Sequence, residues 1–135
     1  MDGKIHARAP RAVRSDAAPA ALGPYSQAID TGACIYVSGQ LGVDPASGKL
    51  VGSAAGSQAD QAIRNIGAIL DAAGLGFGDV VKTTVYLADM ADFAAVNEIY
   101  SKYFTSKPAR SCCAVRSLPK GALVEIEAIA VKRGV

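Results

Sequence analysis

An arginine, a pair of carboxylates, a tyrosine and a few small polar side chains are the groups in this chain that could do chemistry together. Arg110 stands in PARS, residues 108–111, and Glu125 and Glu127 stand in VEIE, residues 124–127. Arginine presents a planar fork that matches a carboxylate bidentately, and a charge-assisted bond of this kind contributes about 1.5–3 kcal/mol. A carboxylate near it can hold or deprotonate a water. Those two parts suit hydrolysis of a carbon that is already electrophilic, with no cofactor. Tyr25, Ser38 and Asn97 are further groups able to orient a small acid and a water. A plainer reading stands beside this one. Successive side chains of a strand point to opposite faces, so Glu125 and Glu127 share one face while Val124, Ile126, Ala128 and Ala130 share the other. A charged strand face turned to water is the commoner arrangement. Residue type and spacing leave both readings open.

Other chemistries are excluded by missing parts. There is no GxxxxGK[ST] phosphate loop, and Gly74, Gly76 and Gly78 follow a helical stretch and precede a strand, the wrong context for a dinucleotide-binding turn. The single histidine, His6, falls in the N-terminal tail, a poor place for the base of a Ser-His-Asp triad or for the partner of a catalytic cysteine. Zinc would need several His or Cys at ligand spacing, so no metal site is expected. The cysteines, Cys34, Cys112 and Cys113, are odd in number and lack C-x-x-C spacing. They read as free thiols in a reducing compartment, which points to the cytoplasm. A net charge of +2 over 135 residues is too small to suggest nucleic acid or an acidic membrane surface as partner. No apolar run approaches the length of a membrane span.

These residues need elements to position them. One domain over residues 17–135 is expected behind a basic tail, residues 1–16, carrying Lys4, Arg8, Arg11 and Arg14. That tail is faintly like an organelle-targeting segment, but Asp2 and the scarcity of Ser argue for a plain basic tail. Gly23-Pro24 marks a turn and places Tyr25 and Ser26 at the start of an extended segment, Gln27 to Thr31. A hairpin connection at Thr31-Gly32-Ala33 leads into a strand, Cys34 to Gln40. Its Ser38-Gly39 step marks either a bulge or close approach, or simply the end of the strand. Residues 42–56 read as loop. Ser57, with Asp60 as a capping-box-like partner, opens a helix whose stripe is Ala59, Ile63, Ile66, Leu70 and Ala73, closed by Gly74. A strand follows over Asp79 to Leu87, with Val81, Thr83, Val85 and Leu87 on one face. Asp89 caps a second helix with the core stripe Phe93, Val96, Tyr100 and Phe104, and Asn97 lies at its border. From Pro108 to Val131 the chain reads as two strands joined by a turn. This order predicts an α+β fold with the helices on one face of the sheet. The bare face still carries apolar residues, so an oligomer is expected.

Taken together, GPYSQA (23–28), YVSGQ (36–40), DMADFAAVNEIYSKYF (89–104), PARS (108–111) and LPKGALVEIEAIAV (118–131) resemble the RidA family, in matching order and spacing over about residues 12 to 133. The resemblance implies a chorismate-mutase-like α+β fold with a single mixed sheet and two helices on one face. It also implies a homotrimer whose sheets line a central barrel, with active sites in clefts between subunits. The implied activity is hydrolysis of reactive 2-imino acids or their enamine tautomers, such as 2-iminobutanoate and 2-iminopropanoate, to 2-oxo acids and ammonia, with no cofactor. Such intermediates come from PLP-dependent dehydratases acting on serine and threonine. In the family pattern Arg110 grips the substrate carboxylate and Glu125 positions or activates the attacking water. Tyr25 and Ser38 line the cleft, Gly39 and Asn97 are further pocket residues, and Cys112 supplies main-chain contacts. The stretch Thr105 to Lys107 looks about one residue shorter than is usual before PARS. Two other classes fit the same resemblance: a non-enzymatic chaperone or small-ligand-binding trimer, and an endoribonuclease or translation inhibitor.

Overall fold

The computed structural model describes residues 9–133. The first half of the basic stretch, with Lys4, His6 and Arg8, lies outside them. The strands are β1 (Arg11–Val13), β2 (Ala28–Asp30), β3 (Cys34–Leu41), β4 (Val80–Leu87), β5 (Ala109–Ala114) and β6 (Val124–Val131), and the helices are α1 (Ala55–Ala72) and α2 (Phe93–Tyr103). They form a six-stranded sheet in the order β1-β2-β3-β6-β4-β5. It is mixed: β5 runs parallel to β4, and every other neighbouring pair is antiparallel.

Alternation decides which face is dry. Ile35 and Val37 of β3, Thr83, Val85 and Leu87 of β4, and Val124, Ile126, Ala128 and Ala130 of β6 are buried. They meet Ile63, Ile66, Ile69 and Leu70 of α1 and Val96 and Tyr100 of α2 in one apolar core. The other face presents Tyr36, Thr84, Tyr86, Glu125, Glu127 and Ile129, all half-buried or exposed. Gly74 ends α1 as expected. It takes up a left-handed φ of 77°, donates to the Asp71 carbonyl, and lets Leu75 donate back to Leu70. Asp89 also caps as expected, its Oδ1 accepting from the Ala91 N–H at 2.9 Å where a 3-10 turn leads into α2.

Four sequence expectations change. The last two strands do not form a hairpin. β6 lies between β3 and β4, and β5 sits at the far edge of the sheet. Composition explains the exchange: VEIEAIAV carries an unbroken apolar face fit for the centre, while ARSCCA is polar and suits an edge. Second, β4 is bulged, with Val80 opposite Ala130 and Lys82 opposite Ile129. The extra residue turns Val81 outward, 44% exposed, and Val80 joins Thr83, Val85 and Leu87 in the core. Third, α1 starts at Ala55 with no side-chain cap. Ser57 instead donates to the Ala54 carbonyl, and Asp60 binds Arg64 and the Tyr103 hydroxyl. Fourth, Arg11–Val13, within the stretch read as tail, pairs with β2 as an edge strand.

One buried polar side chain ties α1 to the sheet. Asn65, 1% exposed, donates to the carbonyls of Leu41 at 3.1 Å and Val43 at 2.9 Å, and accepts from Gln61 at 2.9 Å. It thereby fixes the end of β3 and the loop after it. Replacing it with leucine leaves both carbonyls without their donor, at about 1–3 kcal/mol for each buried group so orphaned. Asn65→Leu is therefore expected to lower the urea midpoint clearly with an unchanged m-value. An unshifted midpoint would mean that the two carbonyls find water instead.

Candidate active site

Ser38 and Gly39 form a bulge in β3: Val37 lies opposite Ala128 and Gln40 opposite Ile126, so two residues face Glu127 alone. The bulge turns Ser38 toward the preceding loop, where its hydroxyl donates to the Ser26 carbonyl at 2.6 Å and its N–H donates to the Gln27 carbonyl. These bonds hold the turn that carries Tyr25, which stands 54% exposed. Gln27, buried, anchors the same turn from below. Its side-chain amide donates to the carbonyls of Ser15 and Pro19, and its oxygen accepts from the Ser15 N–H. Residue type alone did not single out Gln27, although it lies inside GPYSQA.

Gly39 leaves room for Glu125. A methyl group built on Gly39 would stand 2.5 Å from Glu125 Oε1. The close approach that glycine in a strand can signal is therefore made here by a carboxylate of the next strand. Glu125 and Glu127 project from β6 on one face, as alternation required, and with Tyr25, Ser38 and Gly39 they line a cavity of about 920 Å³. Burial, and then the charge of Glu127, raise the Glu125 carboxyl above the usual glutamate range. Glu127 accepts a hydrogen bond from the Tyr86 hydroxyl at 3.1 Å.

Arg110 lies elsewhere. It pairs in register with Thr83, whose side chain is buried on the helix side of the sheet. Its guanidinium rests 4.8 Å from the Tyr100 ring centre and 5.6 Å from that of Phe93. Nη1 donates to Asn97 Oδ1 at 2.7 Å. Cys112, two residues on, shares that side and packs against the core; burial raises its thiol pKa while Arg110 pulls the other way. Of the residues singled out in the sequence, the fold thus gathers Tyr25, Ser38, Gly39 and Glu125 on one face of the sheet, and Arg110, Asn97 and Cys112 on the other. The aromatic seat of Arg110 was missed because Phe93 and Tyr100 fit a core stripe equally well.

A family model described as Endoribonuclease L-PSP matches residues 15–132. Curated proteins named 2-iminobutanoate/2-iminopropanoate deaminase are 57% identical in Capra hircus and 55% identical in Mus musculus. Each alignment spans 90% of this chain and 90% or 91% of the relative. The chain belongs to the RidA family. Solved structures agree with the fold. A putative endoribonuclease from Thermotoga maritima superimposes with a TM-score of 0.89 at 48% identity, covering 92% of this chain and 98% of the other. The E. coli protein TdcF, solved with bound serine, gives 0.86 at 41% identity over 90% and 98%. For a RidA chain, the single mixed sheet with two helices is the expected architecture. Among the described residues no helix is long and apolar enough to cross a membrane.

Proposed function

We propose that this chain is a hydrolytic deaminase that converts reactive 2-imino acids, including 2-iminobutanoate and 2-iminopropanoate, to 2-oxo acids and ammonia without a cofactor. The observation that carries the reading is the setting of Glu125. It is a half-buried carboxylate in a cavity, held above its ordinary pKa, and it forms no side-chain hydrogen bond within the described residues. Such a group is free to take a proton from a bound water. The deaminase names of the relatives support the same chemistry, and the serine bound to TdcF shows that a fold of this kind can hold a molecule of amino-acid shape.

Arg110 supplies the grip on the substrate carboxylate, presented by Asn97 and the two rings beneath it. Because the sheet separates Arg110 from Glu125 within one copy, the working site combines Arg110 of one copy with Glu125, Tyr25 and Gly39 of another. The assembly is a homotrimer whose bare sheet faces turn inward as a barrel. The open edge of β5 and the half-exposed residues of the Glu125 face are the surfaces available for it.

In the reaction, Glu125 takes a proton from water as the water oxygen bonds to the imine carbon. The C=N π pair passes to nitrogen, which takes that proton from Glu125, and a carbinolamine forms. Glu125 then takes the hydroxyl proton as the oxygen becomes the 2-oxo group and the C–N bond breaks, and hands it to the departing nitrogen, which leaves as ammonia. Imines hydrolyse in water unaided, so positioning supplies most of the required acceleration. The substrate is supplied by PLP-dependent dehydratases acting on serine or threonine in the cytoplasm.

The test mixes the protein with such a dehydratase and its amino acid, and traps surviving imine as the semicarbazone. Wild type is expected to deplete the trapped pool well below that in buffer. Equal pools with and without the protein would overturn the assignment. The family description offers RNA cleavage as a second reading. A net charge of +2 gives little electrostatic attraction for a polyanion, and no RNA retention is expected even at low salt.

A further inference from the structure

Glu127 stands in the VEIE motif but is given no role by the resemblance or by the reaction above, yet it is built into the same cavity. We propose that Glu127, clamped by Tyr86, is a positioning residue that sets the charge state of Glu125. This proposal rests on the reading of Glu125 as the base.

The geometry is specific. The two carboxylates stand two residues apart on one face of a central strand and line one cavity. Glu125 is folded over Gly39, where even a methyl group would collide with it. Glu127 faces the Ser38-Gly39 bulge and is held from the other side by the Tyr86 hydroxyl. The Tyr86 hydroxyl donates to Glu127 Oε1 at 3.1 Å, so the clamp fixes this second carboxylate in place beside the base. Other groups face Glu125 without replacing this charge. Tyr86 of β4 lies directly opposite it, and Cys113 of β5 pairs with Tyr86. From β3 come Ser38, Gly39 and Leu41, none of which carries a charge. Tyr25 and Lys120 line the same cavity, but the Lys120 ammonium is turned to the Gly48 carbonyl at 3.1 Å. In the two-copy site Arg110 enters from the second copy, where the substrate carboxylate offsets it. Burial and the Glu127 charge both act to hold a proton on Glu125. The consequence is chemical: a glutamate raised above its ordinary range is a stronger proton acceptor than an ordinary one.

The sign follows directly. A neighbouring negative charge raises the pH at which Glu125 ionises, so removing it must lower that pH. The experiment is a carboxyl carbon-13 NMR titration of Glu125 in wild type, Glu127→Gln and Glu127→Asp, with the pH profile of imine clearance measured alongside. Glu127→Gln is expected to move the Glu125 midpoint and the acid limb of the profile to lower pH together. Glu127→Asp, which keeps the charge, is expected to stay near wild type. A Glu125 midpoint unchanged in Glu127→Gln overturns the role of Glu127. Glu125→Gln separates this from the parent reading. If that variant clears imine as fast as wild type, Glu125 is not the base. If it is inactive while the Glu127→Gln midpoint stays put, only the role of Glu127 falls.

Discussion

Arg110→Ala and Glu125→Gln, each nearly inactive alone, are expected to recover activity when the two proteins are unfolded, mixed in equal amounts and refolded together. Arg110 shares a register position with Thr83 and lies on the helix side of the sheet, over Tyr100. Glu125 projects from the opposite face into the cavity beside Gly39. On the proposed reading, one copy therefore does not bring both to one imine. Loss of a charge-assisted grip of about 1.5–3 kcal/mol corresponds to roughly a tenfold to hundredfold fall in turnover for Arg110→Ala alone. If the sites are shared as proposed, each site of a mixed assembly draws Arg110 from one copy and Glu125 from another. Random assortment then leaves about a quarter of the sites with both intact. If both residues instead acted from the same copy, no mixed site would be whole and the mixture would be as inactive as its parts. Trapped imine measured before and after co-refolding distinguishes the two outcomes, with each variant refolded alone as the control.

The second large effect separates two glycines three residues apart. A side chain at Gly39 meets only the end of Glu125, at 2.5 Å from Oε1, and a flexible carboxylate can swing away at little cost to the fold. A side chain at Gly42 meets the backbone of α1, the carbonyl oxygen and, at 2.6 Å, the Cα of Gln58, which cannot move without displacing the helix. Gly39→Ala is therefore expected to keep wild-type stability and lose activity by on the order of 10²-fold, the penalty for misplacing a catalytic group by about 1 Å. Gly42→Ala is expected to lose about 1–3 kcal/mol of stability through overpacking. Urea unfolding and imine clearance, measured on both variants, give opposite patterns if Glu125 is the base. A Gly39→Ala protein with full activity would show that the carboxylate need not rest where it does.

The faces of the strands were legible because period-two alternation is a local property. Ile35 with Val37, and Val124 with Ile126, Ala128 and Ala130, could be read as buried from neighbouring residues alone. The same rule placed Glu125 and Glu127 together. The order of strands was not legible, because the partners of β6 and β5 are chosen across long stretches of chain. A turn between Ala114 and Val124 suggests a hairpin until the apolar face of β6 is weighed against the polar run of β5. The site split for the same reason. That Arg110 and Glu125 occupy opposite faces depends on the parallel register of β5 with β4, which no short motif encodes. The bulge at Val81 was hidden because VVKTTV alternates acceptably in either phase until Ala130 and Ile129 fix it.

The place of β6 has a consequence for how this chain can fold. It is the last strand along the sequence and the keystone of the sheet, with β1-β2-β3 on one side of it and β4-β5 on the other. Until it inserts, each of those groups has an open edge and an incomplete core. These are long-range closures, so folding is expected to be comparatively slow. The strand that carries Glu125 is thus the one whose insertion completes the sheet, and no partly assembled chain presents a finished cavity.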